Sequence, residues 1–501
     1  MKRIYYILLS LVLLVIGCEK QPQVQGVPQT PPANDTYTYA NVFAWNMMND
    51  YYLWKKEIQR GLDNWDDTVE PISYLDKIKY KDDKWTMLTN DYASFFGDVS
   101  GVSTSYGYDV LFYPIEGNNK AIQAVVLFVY PDSPASKAGL KRGDTIVSFN
   151  GKDLPYPSSN ADLYKTYDDL MSSSSCNLGL SNGKSISMTS VVLTQNPVTT
   201  YTVLENEAGD KRIGYMHYTS FTAESIQYLI EACRSFKEQG IEELVLDLRY
   251  NGGGLVKAEQ AFISMLAPKS AVDNEEVYEI EVYNQELTEY FSEHDEAGTE
   301  FNLSRFTTQF DFTYDNKQYS FNTADANIGL KKVYAIVTDN SASASEALIC
   351  CLRPFIPVEL IGEQTYGKYC AGIIYGADEW YDDMKDYFKD PEDYTKGKKA
   401  TQNWGIYVMY SRFANRNGDT ECMPDGIPAD VAAVDDPRDG CQLGDPDETM
   451  LKVALQRAGF FSGTQSSIQR APARIIERPV PFERPEKPGM VKLPSEVPAL
   501  R

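Results

Sequence analysis

Residues 333–352 read Val333-Tyr334-Ala335-Ile336-Val337-Thr338-Asp339-Asn340-Ser341-Ala342-Ser343-Ala344-Ser345-Glu346-Ala347-Leu348-Ile349-Cys350-Cys351-Leu352. Five consecutive apolar residues describe a strand from a sheet covered on both faces. A run of small residues then turns the chain into an apolar helical stretch. Such a turn can expose a side chain, and it aims backbone N–H groups and the positive end of a helix at whatever binds there. That suits a serine nucleophile and its oxyanion. Taken alone, the same serines read better as helix caps.

The pattern around this stretch extends it into an α/β core. Residues 212–218 and 244–248 read as strands, and 223–239 as an amphipathic helix closed by Gly240. After the strand Val358-Glu359-Leu360-Ile361-Gly362 comes Glu363-Gln364-Thr365-Tyr366-Gly367-Lys368. A lysine preceded by glycine in a tight turn can pack inward, and apolar burial lowers a lysine's pKa toward neutrality. A serine–lysine pair then needs no histidine. Residues 269–330 read as an acidic, β-prone insertion and 377–403 as a charged aromatic one.

Residues 98–198 differ: short β-rich runs alternate with turns. Among them lies Ser133-Pro134-Ala135-Ser136-Lys137-Ala138-Gly139-Leu140-Lys141-Arg142-Gly143-Asp144-Thr145-Ile146, ending at Asn150-Gly151. This run resembles the PDZ domains of bacterial proteases. Such domains add an extended C-terminal peptide to a sheet edge and catch its carboxylate in a glycine-containing loop. The resemblance implies that loop at Tyr106, Gly107, Tyr108 and Asp109.

The serine and lysine segments together resemble peptidase family S41, the C-terminal (tail-specific) processing peptidases. The family's nucleophile is the middle serine of a SASASE-like run, and its base is the lysine of a GxxTxGK motif about 25 residues later. The resemblance therefore assigns Ser343 and Lys368. Asp247-Leu248-Arg249-Tyr250-Asn251-Gly252-Gly253-Gly254 matches the family's DLRxNxGG segment, which implies an oxyanion hole from Gly253 or Gly254 with Ala344. Met423-Pro424-Asp425-Gly426-Ile427-Pro428-Ala429-Asp430 is similar to a later structural turn of the family. One position departs: many members carry a glutamine four residues after the lysine, and here that residue is Gly372. Tyr92 stands where another branch, using histidine, carries its base, and so fits the serine–lysine branch.

The implied fold is multidomain α/β: an N-terminal helical segment (39–97), a PDZ-like β domain (98–198), and a ClpP/crotonase-like S41 catalytic core (199–460) carrying both insertions. One helix is expected over 40–60 and another from Pro71 to Lys79. Lys2 and Arg3 precede an apolar run of about fourteen residues, too short to span a bilayer and of signal-peptide form. Val15-Ile16-Gly17-Cys18 resembles a lipobox, which implies removal of residues 1–17 and lipidation of Cys18. Residues 18–38 are a polar, proline-rich tether. Residues 461–501 hold seven prolines, seven Lys/Arg and four Asp/Glu. They read as an extended, solvated tail, with a strap onto the acidic body as the second reading.

A net charge of −24 argues against nucleic-acid binding, which needs a basic face. Two histidines, His217 and His294, are few for a zinc site or a histidine-based triad, and His217 lies in a core strand. No metal or other cofactor is expected. The expected partners are protein substrates with free C-termini and a cell-envelope membrane reached through the lipid anchor. The alternative function is a weakly active or inactive peptide-binding lipoprotein of the same fold, motivated by Gly372. The eight cysteines show no CxxC spacing; Cys422 and Cys441 flank a turn-rich segment and could pair in an oxidising compartment.

Overall fold

The computed structural model describes residues 36–294, 301–315, 317–461 and 490–492. The apolar strand of the opening stretch, Lys332–Val337, lies inside a six-stranded sheet between the parallel strands Glu243–Asp247 and Val358–Gly362. Arg212–Tyr218 continues the parallel order. Val198–Glu205 closes that edge antiparallel, and Val431–Ala432 forms the other. Alternate residues serve two cores, as continuous apolar strands require. Leu244, Leu246, Val333, Ala335 and Val337 pack with residues of the helices Ser225–Glu238, Val256–Leu266 and Ala344–Leu352. Val245, Tyr334 and Ile336 pack with the helix Thr449–Arg457.

A second six-stranded sheet, which local pattern did not predict, stands beside this one. Its order is Leu303–Arg305, Val277–Val282, Gly405–Asn415, Cys370–Gly376 and Met490–Lys492, with Met87–Thr89 also paired to Gly405–Asn415. Two of these strands come from the supposed insertion at 269–330, so that segment is part of the body. The third residue triplet comes from the tail, so the solvated reading fails at 490–492. The N-terminal helices cover the sheet: Phe43, Met47 and Met48 share a core with Ile406, Val408 and Trp380. The helix expected over 40–60 is two, Thr36–Tyr51 and Lys55–Asp63. Between them the Leu53 amide donates to Met409 O (2.8 Å), and the Tyr52 hydroxyl donates to Asp83 (2.7 Å). Tertiary partners override the helical pattern there.

The PDZ-like unit orders its strands Tyr108–Ile115, Asn118–Val129, Lys152–Pro155, Thr145–Phe149, Ser175–Leu180 and Ser185–Thr189. The Ser-Pro-Ala signature forms a one-turn helix capped by Ser133 Oγ, which accepts from Ser136 N (3.1 Å). Arg142 of the same signature crosses to the core. It donates to Leu127 O, the Tyr250 hydroxyl and Asp435, and belongs to one buried ionic network with Arg249, Asp247 and Glu448.

His217 lies beside that network, its ring between Phe128 and Tyr250, with Nδ1 2.6 Å from Thr199 Oγ1. Burial pushes its pKa down to about 4. The unfolded chain therefore binds an extra proton between about pH 4 and the ordinary value near 6.5, so stability falls as pH drops through that window. The group's share approaches about 3 kcal/mol. Urea midpoints at pH 7 and pH 4.5 should diverge less for His217→Gln than for the wild type; an unchanged difference would contradict this.

Candidate active site

Three serines stand in the turn after Val337, and their hydroxyls have different partners. Ser341 Oγ donates to Leu248 O (2.8 Å) and Ser345 Oγ to Asn251 O (3.0 Å). Both stitch the turn to the Asp247–Gly254 segment. Ser343 sits at the N-cap of the helix Ala344–Leu352 with φ 61° and ψ −110°, a left-handed φ that costs a non-glycine residue free energy and recurs at functional turns. Its Oγ accepts the amide N–H of Met490 at 2.6 Å.

The turn holds its shape through Glu346, whose role sequence reasoning missed. This carboxylate is fully buried. Oε2 accepts from the Ser343 amide (2.8 Å) and the Lys368 amide (2.8 Å); Oε1 accepts from Thr365 Oγ1 (2.5 Å) and the Gly367 amide (2.7 Å). Burial pushes its pKa up, and those four bonds pull it back. One side chain thus ties both motif segments together. The spacing from Ser343, three residues as in a capping box, was the available signal. The Gly426-Ile427 turn braces the other side: the Ile427 amide donates to Thr365 Oγ1 (2.7 Å), and Thr365 N donates to Ile427 O (3.1 Å). A Cβ on Gly367 would lie 2.8 Å from Gly426 N, and at φ +94° glycine is the residue the position favours.

Lys368 is 3% exposed. Its Nζ lies 4.9 Å from the Tyr407 ring centroid and 5.7 Å from that of Trp85. The Tyr407 hydroxyl donates to Met490 O (2.7 Å). Ser343 and Lys368 are therefore brought to the same three-residue strand, one directly and the other through Tyr407. Gly372 gains its meaning here. A side chain at this position would run into the Tyr407 ring and meet Met409 Cε at 2.6 Å. Tyr407 occupies the space beside the lysine, and no sequence motif marked it.

Gly253 stands against the turn, and Gly254 packs on Phe221. A Cβ on Gly253 would lie 3.0 Å from both Ala344 N and Ser343 Cβ. The Gly253 amide donates to Asn251 Oδ1 (2.9 Å), and the Gly254 carbonyl accepts from Val491 N (3.0 Å). In the PDZ loop, Tyr106 and Tyr108 are buried in the domain core. The Gly107 amide donates to Ser105 Oγ (2.9 Å), and Asp109 Oδ1 accepts from Tyr167. Tyr92 packs against Gly405 and Phe96. Cys18 lies outside the described residues. Cys422 and Cys441 are free thiols: the first is sealed in the main core and the second sits in a turn whose amide is held by Asp439, so the suggested pair does not form.

Peptidase family S41 matches residues 212–432, which carry Gly253, Gly254, Ser343, Glu346, Lys368 and Tyr407. That stretch is similar to the peptidases of family S41. A PDZ domain matches residues 125–164. A carboxyl-terminal-processing protease of Synechocystis sp. is 24% identical over 332 residues, 64% of this chain and 66% of that protein. A carboxy-terminal processing protease of Bacillus subtilis is 24% identical over 247 residues, 49% of this chain and 44% of that one. The chain thus spans between about half and two thirds of such S41 relatives. A crystal structure from Bacteroides fragilis assigned to the S41 proteases superposes with a TM-score of 0.62 at 23% identity, covering 86% of this chain and 98% of the other; it supports the fold.

Proposed function

We propose that the chain is a serine endopeptidase that hydrolyses exported proteins and uses its PDZ domain to capture their C-termini. Lys368 takes the proton of Ser343 Oγ, and the oxygen attacks a backbone carbonyl. The amides of Ala344 and Gly254 receive the developing oxyanion, Lys368 returns the proton to the leaving amine, and water hydrolyses the acyl-enzyme. The observation that carries this reading is the hydrogen bond between Ser343 Oγ and the amide of an extended strand inside the cleft, where an extended substrate backbone would lie. Removal of residues 1–17 and lipid attachment at Cys18 would hold this acidic body beside a membrane in the cell envelope.

Tyr407 acts as a positioning residue in the place of the family's glutamine. Tyr407→Phe keeps the ring beside Lys368 but loses the hydroxyl that grips the bound backbone, so KM should rise about fivefold with kcat little changed. Gly372→Gln displaces the ring and should lower kcat instead. Equal effects on both constants in both variants would contradict the assignment.

The test of the function itself is digestion of a permanently unfolded protein with an apolar C-terminus. The expected result is time-dependent fragments, formed more slowly when the terminal carboxylate is amidated. No cleavage, with the peptide still bound, would replace the enzyme by the peptide-binding alternative.

A further inference from the structure

The strand Met490–Lys492 lies between the strand Cys370–Gly376 and Leu255, with its first amide on Ser343 Oγ. It runs parallel to Cys370–Gly376, pairing Met490 with Ala371, Val491 with Gly372 and Lys492 with Ile373. On its other edge it bridges to Leu255. All three residues are buried. The strand Cys370–Gly376 on one side and the Gly254-Leu255 segment on the other offer main-chain groups to an extended peptide, which is strand addition; selectivity has to come from side chains.

The third residue shows where. Lys492 Nζ pairs with Glu281 Oε2 and lies 5.9 Å from the ring centroids of both Tyr283 and Tyr410. Glu281 is itself held by the Tyr283 hydroxyl and by Ser411 Oγ (3.4 Å). Behind it, Glu279 Oε1 and both carboxylate oxygens of Glu259 are buried without a hydrogen-bond partner. Burial and the Glu281 charge push the Glu279 carboxyl up, and the Lys492 charge pulls it back. Burying a carboxylate costs several kcal/mol unless a cation answers it. A pocket with a carboxylate at its mouth, two aromatic rings as walls and further buried acids behind it is built for a cationic side chain.

We propose that Glu281, Tyr283 and Tyr410 form a specificity subsite of the peptide groove, selecting a lysine or arginine two residues after the one whose amide meets Ser343, with Lys492 of the chain's own tail as its internal ligand. This deepens the peptidase reading and rests on it for the word substrate. An amide nitrogen at the nucleophile belongs to the leaving side of the bond before it, so the subsite reads the leaving side of the cleaved bond. The preferred sequence there is two apolar residues followed by a base, as in Met490-Val491-Lys492.

The test is binding to the full chain carrying Ser343→Ala, to prevent turnover, and Lys492→Glu, to repel the tail from Glu281. Two fluorescent peptides serve as probes: blocked Lys-Pro-Gly-Met-Val-Lys-Leu-Pro-Ser, which copies residues 487–495, and the same peptide with alanine for its second lysine. Anisotropy should give at least about tenfold tighter binding of the lysine peptide, and Glu281→Gln should level the two. Equal affinity of the two peptides for the Ser343→Ala, Lys492→Glu chain that keeps Glu281 would overturn the subsite, whether or not Glu281→Gln folds. Because the measurement needs no hydrolysis, lysine preference in a chain that never cleaves would sink the peptidase reading alone. Cleavage by the Ser343 chain without such preference would sink the subsite alone.

Discussion

Ser343→Ala is expected to lower peptide hydrolysis by about 10⁴-fold or more, and Lys368→Ala by a comparable factor, without additivity in the double variant. The expectation follows from the turn. Ser341 and Ser345 spend their hydroxyls on Leu248 O and Asn251 O, so neither can stand in for Ser343. Lys368 Nζ is held against the Tyr407 and Trp85 rings. Neither histidine can substitute as base: His217 is sealed beside Phe128 and Tyr250, and His294 stacks on Tyr290 at a helix end. The Ser343 amide hydrogen bond to Glu346 survives truncation of the side chain, so Ser343→Ala should melt at the wild-type temperature. Residual hydrolysis within tenfold of wild type in purified Ser343→Ala would remove the serine from the chemistry.

The largest effect on stability is expected at Arg249. This side chain is completely buried. Its guanidinium donates to Asp247 Oδ1 and Oδ2 (2.9 and 2.7 Å), to Glu448 Oε1 and Oε2 (2.6 and 3.0 Å) and to Asp435 Oδ1 (2.8 Å). Arg249→Met leaves three buried carboxylates facing Arg142 alone. Removing one partner of a buried ion pair costs about 3–5 kcal/mol, and urea unfolding should show a loss in that range. The two arginines hold the Asp435 carboxyl far below its usual range against the cost of burial. Its contribution is therefore present above the ordinary carboxylate pKa and is lost as pH falls toward the depressed value. Arg142 brings the PDZ domain into the same network, so Arg249→Met should also loosen the domain contact and expose it to limited proteolysis. A variant within 1 kcal/mol of wild type would contradict the network's role.

The candidate motifs were legible because each is short and local: a strand, a small-residue turn and a helix sit within twenty residues of one another, and the resemblance of these segments to peptidase family S41 points to Ser343 and Lys368. The parallel sheet was legible for the same reason: Val333–Val337 and Leu244–Leu248 carry burial on both faces in their composition. The second sheet was not, because its strands come from residues 87, 277, 303, 370, 405 and 490 onward, and nothing local announces their pairing. Hence Val277–Val282 read as part of an insertion and Met490–Lys492 as solvated tail. Gly372 read as a loss, because Tyr407, which takes the vacated space, lies thirty-five residues further on. Glu346 was visible only as a helix cap, although it fastens the lysine loop to the serine turn.

The account stands on Ser343 being a nucleophile served by Lys368. Peptide mapping after treatment with a fluorophosphonate tests this most directly. The predicted result is one phosphonyl adduct, on Ser343, formed at least a hundredfold more slowly in Lys368→Ala. Unmodified Ser343 in a fully folded chain, or an equal rate with and without the lysine, would contradict it.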